Sequence, residues 1–225
     1  GHITPDSVMS AITNKTFLVS CMHANNETGA INNIDEMADR IKDLDAKIFF
    51  HSDCAQTFAK TNLDFSNRNI DMISFSSHKF YGPKGVGGLV ARKVDGISLP
   101  LKPIMFGGGQ ERGLRPGTLP VHLIAGMGHA AELSFNNNKQ WMLDCLKIKQ
   151  TALKEFKNSN YVIYGTTDDA TLPNTLSISF NSHAEAVIIC LKEIAEIATG
   201  SACTSESYSP SHVLTAMGLD EEHAK

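Results

Sequence analysis

The residues most able to do chemistry in this 225-residue chain fall in two short polar stretches, each preceded by apolar residues. Phe49-Phe50 runs into His51-Ser52-Asp53-Cys54-Ala55-Gln56, and Ile73-Ser74-Phe75 runs into Ser76-Ser77-His78-Lys79. A carboxylate and a lysine thus leave neighbouring predicted strands at one edge. One chemistry asks for that pair. An enzyme using pyridoxal phosphate holds the cofactor as a Schiff base on lysine, and a carboxylate keeps the pyridine nitrogen protonated so that the ring accepts electrons. Lys79 and Asp53 can fill those roles, with Ser76, His78 and Gln56 offering hydrogen bonds to phosphate and ring oxygen. The plainer alternatives are a solvated lysine ahead of a turn and an aspartate that only makes a turn. Against the first stands the run Phe80-Tyr81-Gly82-Pro83-Lys84-Gly85-Val86-Gly87-Gly88, whose glycines permit positive φ or close backbone approach.

Other constellations carry less. Gly107-Gly108-Gly109-Gln110-Glu111-Arg112 is a tight turn without the Lys-Ser/Thr ending of a nucleotide loop. His51, Asp53, Cys54 and His78 are of zinc-binding types. No metal site is expected, because His51 and Asp53 are read as unable to face one ion from a straight extended segment and Lys79 adds positive charge. Cys203 lies in the small-residue stretch Gly200-Ser201-Ala202-Cys203-Thr204-Ser205-Glu206-Ser207. A thiol there can act as a nucleophile if its thiolate is stabilised. Cys21, Cys145 and Cys190 sit in apolar runs and read as core, while Cys54 is ambiguous beside Asp53.

The elements that must position these groups follow from periodicity. Apolar runs predict strands at 16–22, 47–51, 70–76 and 85–91, and Ile34, Met37, Ala38, Ile41 and Leu44 follow helical spacing with Asn33 placed as the N-cap. Strand, helix and strand in succession predict a parallel sheet with crossovers, where ligands collect at the carboxyl ends of strands. Beyond Pro116 the character becomes α+β, with helices expected at 120–134, 139–157 and 184–193 and a strand near 174–180. The Gly/Ser/Thr-rich stretch 199–210 is too polar for core and long enough to move. A soft boundary near residue 134 divides a domain of 1–134 from one of 135–225.

Composition narrows the function classes. Hydrophobic residues make up 42% and charged residues 20%, as in globular chains, and the net charge of −4 is interleaved along the sequence. Binding to nucleic acid or an anionic membrane is not expected. No apolar run is long enough for a membrane span, and the first residues lack a signal-peptide layout. Five widely spaced cysteines form neither a disulfide framework nor a zinc knuckle, which suits a reducing compartment.

Five stretches, in order and spacing, carry a resemblance: Asn25-Asn26-Glu27-Thr28-Gly29, the segment from His51 to Gln56, that from Ser74 to Gly85, that from Gly107 to Thr118, and Gly200 to Ser205. Together they closely resemble the cysteine desulfurases of the NifS/IscS type, enzymes of the class-V aminotransferase family. The resemblance runs from residue 1 to 225. It implies an α/β fold of type I, aspartate aminotransferase-like, with a partial, mainly parallel sheet and a truncated α+β small domain. It also implies conversion of L-cysteine to L-alanine with pyridoxal phosphate as cofactor.

Carried over residue by residue, the resemblance makes Lys79 the Schiff-base lysine and Asp53 the partner of the pyridinium nitrogen. Asn26 contacts the ring hydroxyl with Gln56 nearby, Ser76 and His78 hold the phosphate, and Thr118 reaches the phosphate in the other subunit of a homodimer. Cys203 takes the sulfur as a persulfide. Its long loop is similar to that of the enzymes serving iron–sulfur cluster assembly and tRNA thiolation, so scaffold or other sulfur-acceptor proteins are the implied partners. The implied compartment is the cytoplasm, or the mitochondrial matrix in a eukaryote. Family members carry further segments at both ends, with a ring-stacking histidine before and a carboxylate-binding arginine after, so the chain resembles a fragment lacking both. Selenocysteine lyase, or a catalytically impaired dimerisation partner, is the alternative.

Overall fold

Side chains at 34, 37, 38 and 41 recur at the spacing of one helix face, and in the computed structural model all four are buried in the helix Ile34–Leu44. Residues 62–64, 95, 167–168, 181, 183, 201–209 and 221–225 aside, the structure describes the whole chain. It divides into two compact units. A sheet unit comprises Pro5–His23 and Asn33–Lys139, and a hairpin unit comprises Gly1–Thr4, Ala24–Asn32 and Gln140–Lys225.

In the sheet unit, helix α1 (Pro5–Ala11) leads to strand β1 (Leu18–Met22), helix α2 (Ile34–Leu44) and strands β2 (Phe49–Asp53), β3 (Met72–Ser76) and β4 (Gly87–Ala91). The sheet order is β1-β2-β3-β4. The first three strands are parallel, as expected, and β4 returns antiparallel to β3. The reversal is local: only residues 77–86 separate β3 from β4, too little chain for a helical crossover. A small ribbon of β5 (Lys93–Val94) and β6 (Ile97–Ser98) follows.

Helix α2 covers one face of the sheet. Met37, Ala38 and Ile41 pack with Phe50, Ile48, Ile70 and Ile73 in one cluster, each large side chain contributing roughly 1.5–3 kcal/mol by leaving water. Asn33 caps the helix as expected, accepting the Glu36 N–H at 3.3 Å while its own amide reaches Glu36 Oε2 at 3.0 Å. Leu44, expected on the same stripe, is 57% exposed because the stripe has turned away by the last turn. Buried Asp71 joins helix to sheet: its carboxylate meets Lys42 Nζ at 2.7 Å and accepts the Phe50 N–H at 2.7 Å.

Two helices were expected over 120–157; a single helix α3 (Val121–Glu155) is found. Asn136-Asn137-Asn138 interrupts the apolar pattern, but asparagine disfavours a helix by only about half a kcal/mol per residue and no proline breaks the run. The hairpin unit holds an antiparallel pair, β7 (Tyr161–Tyr164) and β8 (Ser177–Phe180), then α4 (Ala184–Leu191) and α5 (His212–Ala216). Phe156, Tyr161 and Phe180 cluster, with Phe156 edge-on to Phe180 at 5.2 Å. Residues 29–31 are stitched to 170–172 by the Ile31 N–H to the Ala170 carbonyl and the Leu172 N–H to the Gly29 carbonyl, both 2.8 Å. Among the described residues no helix is long and apolar enough to cross a membrane.

Candidate functional site

Three parallel strands end together. Register sets Met22 beside Asp53 and Asp53 beside Ser74, so the exits of β1, β2 and β3 share one edge. Alternation along β2 buries Phe50 and Ser52 and leaves Asp53 exposed. The backbone on both sides of Asp53 is fastened: the His23 N–H donates to its carbonyl and the Cys54 N–H to the Ser74 carbonyl, each at 2.8 Å. Asp53 Oδ1 accepts the Ala55 N–H at 2.9 Å, which orients the carboxylate.

Strand β3 ends at Ser76 and turns at once into a 3-10 helix, Ser77–Phe80, closed by Tyr81 at a φ of 69°. A left-handed residue with a Cβ costs roughly 1–2 kcal/mol. Here the Tyr81 N–H donates to the Ser77 carbonyl and closes the turn, and the residues before it are packed. Phe75 stacks on Phe58 with centroids 3.9 Å apart, and fully buried Phe80 lies 5.5 Å from Phe58. A Cβ on Gly88 would come 2.4 Å from the Phe75 ring, and one on Gly82 would come 2.1 Å from Ser77 Oγ, so glycine is required at both by space. On this support Lys79 is half-buried and His78 exposed. Ser76 Oγ and His78 Nδ1 lie 2.8 Å apart.

The structure therefore brings Asp53, Ser76, His78 and Lys79 to one sheet edge, with half-buried Gln56 on the turn after β2. Thr118 is exposed ahead of α3, and no hydrogen bond joins it to that group among the described residues. Exposed Asn26 belongs to the hairpin unit. Its loop is set by Asn25 Oδ1, which accepts the Glu27 N–H at 2.8 Å and the Thr28 N–H at 2.9 Å. Cys203 lies outside the described residues.

Sequence reasoning missed a polar bridge on the face that carries Asp53. The two ring nitrogens of His51 meet Ser20 Oγ at 2.8 Å and Ser74 Oγ at 3.1 Å, spanning β1, β2 and β3. Burial holds His51 below the usual imidazole value, and the charge of Asp53 opposes that shift. The expectation that His51 and Asp53 cannot face one way is corrected, because strand residues two apart share a face. Period-two spacing was the available signal; which serines stand opposite was not. Also missed was His23, whose Nδ1 lies 3.0 Å from Thr57 Oγ1 and which burial keeps below its ordinary pKa.

The cysteines divide. Cys54 is fully buried, and burial pushes its thiol up to about 11, so it belongs to the core and keeps its proton near neutral pH. Cys21 is buried and raised for the same cause. Cys190, expected in the core, is exposed because α4 buries none of its residues. Cys145 is half-buried.

The donor set at the sheet edge fits pyridoxal phosphate. It offers an amine, a carboxylate, a hydroxyl and an imidazole within reach of solvent, and among the described residues neither Lys79 nor Asp53 is engaged in an ion pair.

Comparison with known proteins gives the chain its relatives. A family model described as Aminotransferase class-V matches residues 1–219. The cysteine desulfurase IscS of Rickettsia bellii is 40% identical over 226 residues, covering 100% of this chain and 54% of its own length. DndA from Streptomyces lividans, a solved structure, is 39% identical with a TM-score of 0.83, over 99% of this chain and 62% of its own. SspA, solved in complex with cysteine, is 36% identical with a TM-score of 0.79, over 99% of this chain and 60% of its own. The chain thus spans about half the length of the curated relatives it matches.

Proposed function

We propose, from the premise that this chain belongs to the class-V aminotransferase family, that it carries the lysine, the carboxylate and the acceptor thiol of a pyridoxal phosphate-dependent cysteine desulfurase. The observation that carries the proposal is the convergence of Asp53, Ser76 and Lys79 at the ends of adjacent parallel strands. When bound, pyridoxal phosphate supplies an electron sink for negative charge developing at the substrate α carbon.

The chain's own residues do the rest. Lys79 Nζ holds the cofactor and moves the α proton, and the Asp53 carboxylate keeps the ring nitrogen protonated. Ser76 and His78 hold the phosphate, Gln56 and Asn26 address the ring hydroxyl, and Thr118 reaches the phosphate bound by a second copy, making a homodimer. Cys203 Sγ attacks the sulfur of L-cysteine. The new S–S bond forms as the C–S bond breaks, the electron pair stays on carbon, and a proton completes the methyl group of alanine. An acceptor nucleophile on an iron–sulfur scaffold, a tRNA-thiolating protein or another acceptor then attacks the outer sulfur, the S–S bond to Cys203 breaks, and the Cys203 thiolate leaves ready for another turnover, in the cytoplasm or the mitochondrial matrix. Supporting the substrate are the cysteine bound in SspA and the activity named for the curated relatives.

The test is to add pyridoxal phosphate to the protein and to its Lys79→Ala variant, record the visible band, and follow alanine release from cysteine and from selenocysteine. The expected result is a band that Lys79→Ala abolishes and turnover that prefers cysteine. A folded protein that gives no band, or a band indifferent to Lys79, sinks the proposal and leaves a dimerisation partner. Preference for selenocysteine makes it a lyase instead.

A further inference from the structure

Glu27 is an acid in an unexpected place. Only 9% of the residue is exposed, and its Oε1 has no hydrogen-bond partner among the described residues. Its Oε2 accepts the Ser211 hydroxyl at 2.5 Å, and Ser211 Oγ in turn accepts the Leu214 N–H at 3.2 Å, capping α5. On the side of Gly200, a Cβ built at that residue would lie 3.9 Å from the same Oε2. One carboxylate therefore neighbours both the residue just before 201–209 and the chain just after it, and it stands next to Asn26 in sequence. A buried carboxylate with a single side-chain hydrogen bond is costly, more than capping a five-residue helix requires.

We infer that Glu27 is a positioning residue for Cys203: hydrogen-bonded to Ser211 on one side of the stretch that bears the thiol and lying beside Gly200 on the other, it holds that stretch's flanks next to the Asn26 loop. The inference rests on the desulfurase proposal for its consequence, and on Glu27, Ser211 and Gly200 alone for its geometry. Glu27 touches neither substrate nor cofactor in this scheme. Its loss therefore slows sulfur transfer and leaves cofactor binding intact.

The test uses the cofactor-loaded protein with Glu27→Ala, Glu27→Gln, Ser211→Ala and the Glu27→Ala/Ser211→Ala double variant. Cofactor absorption, KM for cysteine, single-turnover persulfide on Cys203 and amide hydrogen exchange in residues 196–200 and 211–216 are read. Glu27→Ala is expected to lower the persulfide rate about tenfold or more, a misplacement effect, with the cofactor band and KM unchanged within about twofold. Exchange should quicken on both flanks, Glu27→Gln should restore most of both effects by keeping an acceptor, and the double variant should add little to either single one. An unchanged persulfide rate, quickening on one flank only, or a lost cofactor band overturns the inference. If the parent protein forms no persulfide, the desulfurase proposal has failed. Exchange then decides the anchor: faster in Glu27→Ala on both flanks upholds it, no change removes it.

Discussion

The sheet unit and the hairpin unit fix their polar residues by different means. Asp53 and Lys79 stand at the ends of strands whose opposite face is sealed by α2, with Phe50, Met37 and Ile41 wholly buried beneath them. The Asn26 loop is held by side-chain bonds from Asn25 and by the stitch to 170–172, while α4 in the same unit buries nothing and leaves Ile189 73% exposed. Displacing Asp53 means disturbing a core; displacing α4, none of whose residues is fully buried, costs far less. Groups that must hold an angle belong on the first kind of support, and a group that must travel belongs on the second.

That contrast can be broken by measurement. Phe50→Ala should cost about 3–5 kcal/mol in urea unfolding, because a large buried ring is removed from under the site. Next in size is a pH effect. Cys54 keeps its proton more tightly in the fold than in the open chain, so stability is full below the ordinary thiol value and falls as pH rises from there to about 11. The loss should reach roughly 2–3 kcal/mol, and Cys54→Ala should flatten it relative to the parent. Smallest of all, Ile189→Ala should change stability by no more than about 0.5 kcal/mol, as at other exposed positions. Comparable losses at Phe50 and Ile189 would abolish the contrast. A larger loss at Ile189 in a dimer than in a monomer would sharpen it, by showing that a second copy covers α4.

Much of the sheet edge was legible because apolar runs stop where polar residues begin. Phe49-Phe50 before Asp53 and Ile73 before Ser76 mark both strands, and Ile34 to Ile41 mark the helix between β1 and β2. What period and composition do not carry is who stands opposite whom. The Ser20–His51–Ser74 bridge depends on register across three strands, and Glu27 meets Ser211 across 184 residues of chain. Helix α1 escaped because it is only seven residues long and packs just Val8 and Met9 against the core, too short a stripe to show a period, although Pro5 and Asp6 are good opening residues. Strand β7 had its signal in Tyr161-Val162-Ile163-Tyr164, a run of β-favouring side chains. The resemblance supplied roles for Asn26, Thr118 and Cys203 that no periodicity could.

The turn after β3 has a consequence for how such a site can change over generations. Asp53 is locked to a ladder: a shift by one residue would send it to the opposite face, so it can relocate only in jumps of two residues, roughly 6.6 Å. Lys79 hangs from a 3-10 turn closed by Tyr81, with residues 82–86 following before β4 begins. Small changes of residue or length there can trim the amine's position by fractions of that jump while the sheet stays as it is. Of the two groups, the carboxylate is the fixed datum and the lysine the adjustable one, so variation among descendants of this fold should accumulate around the amine.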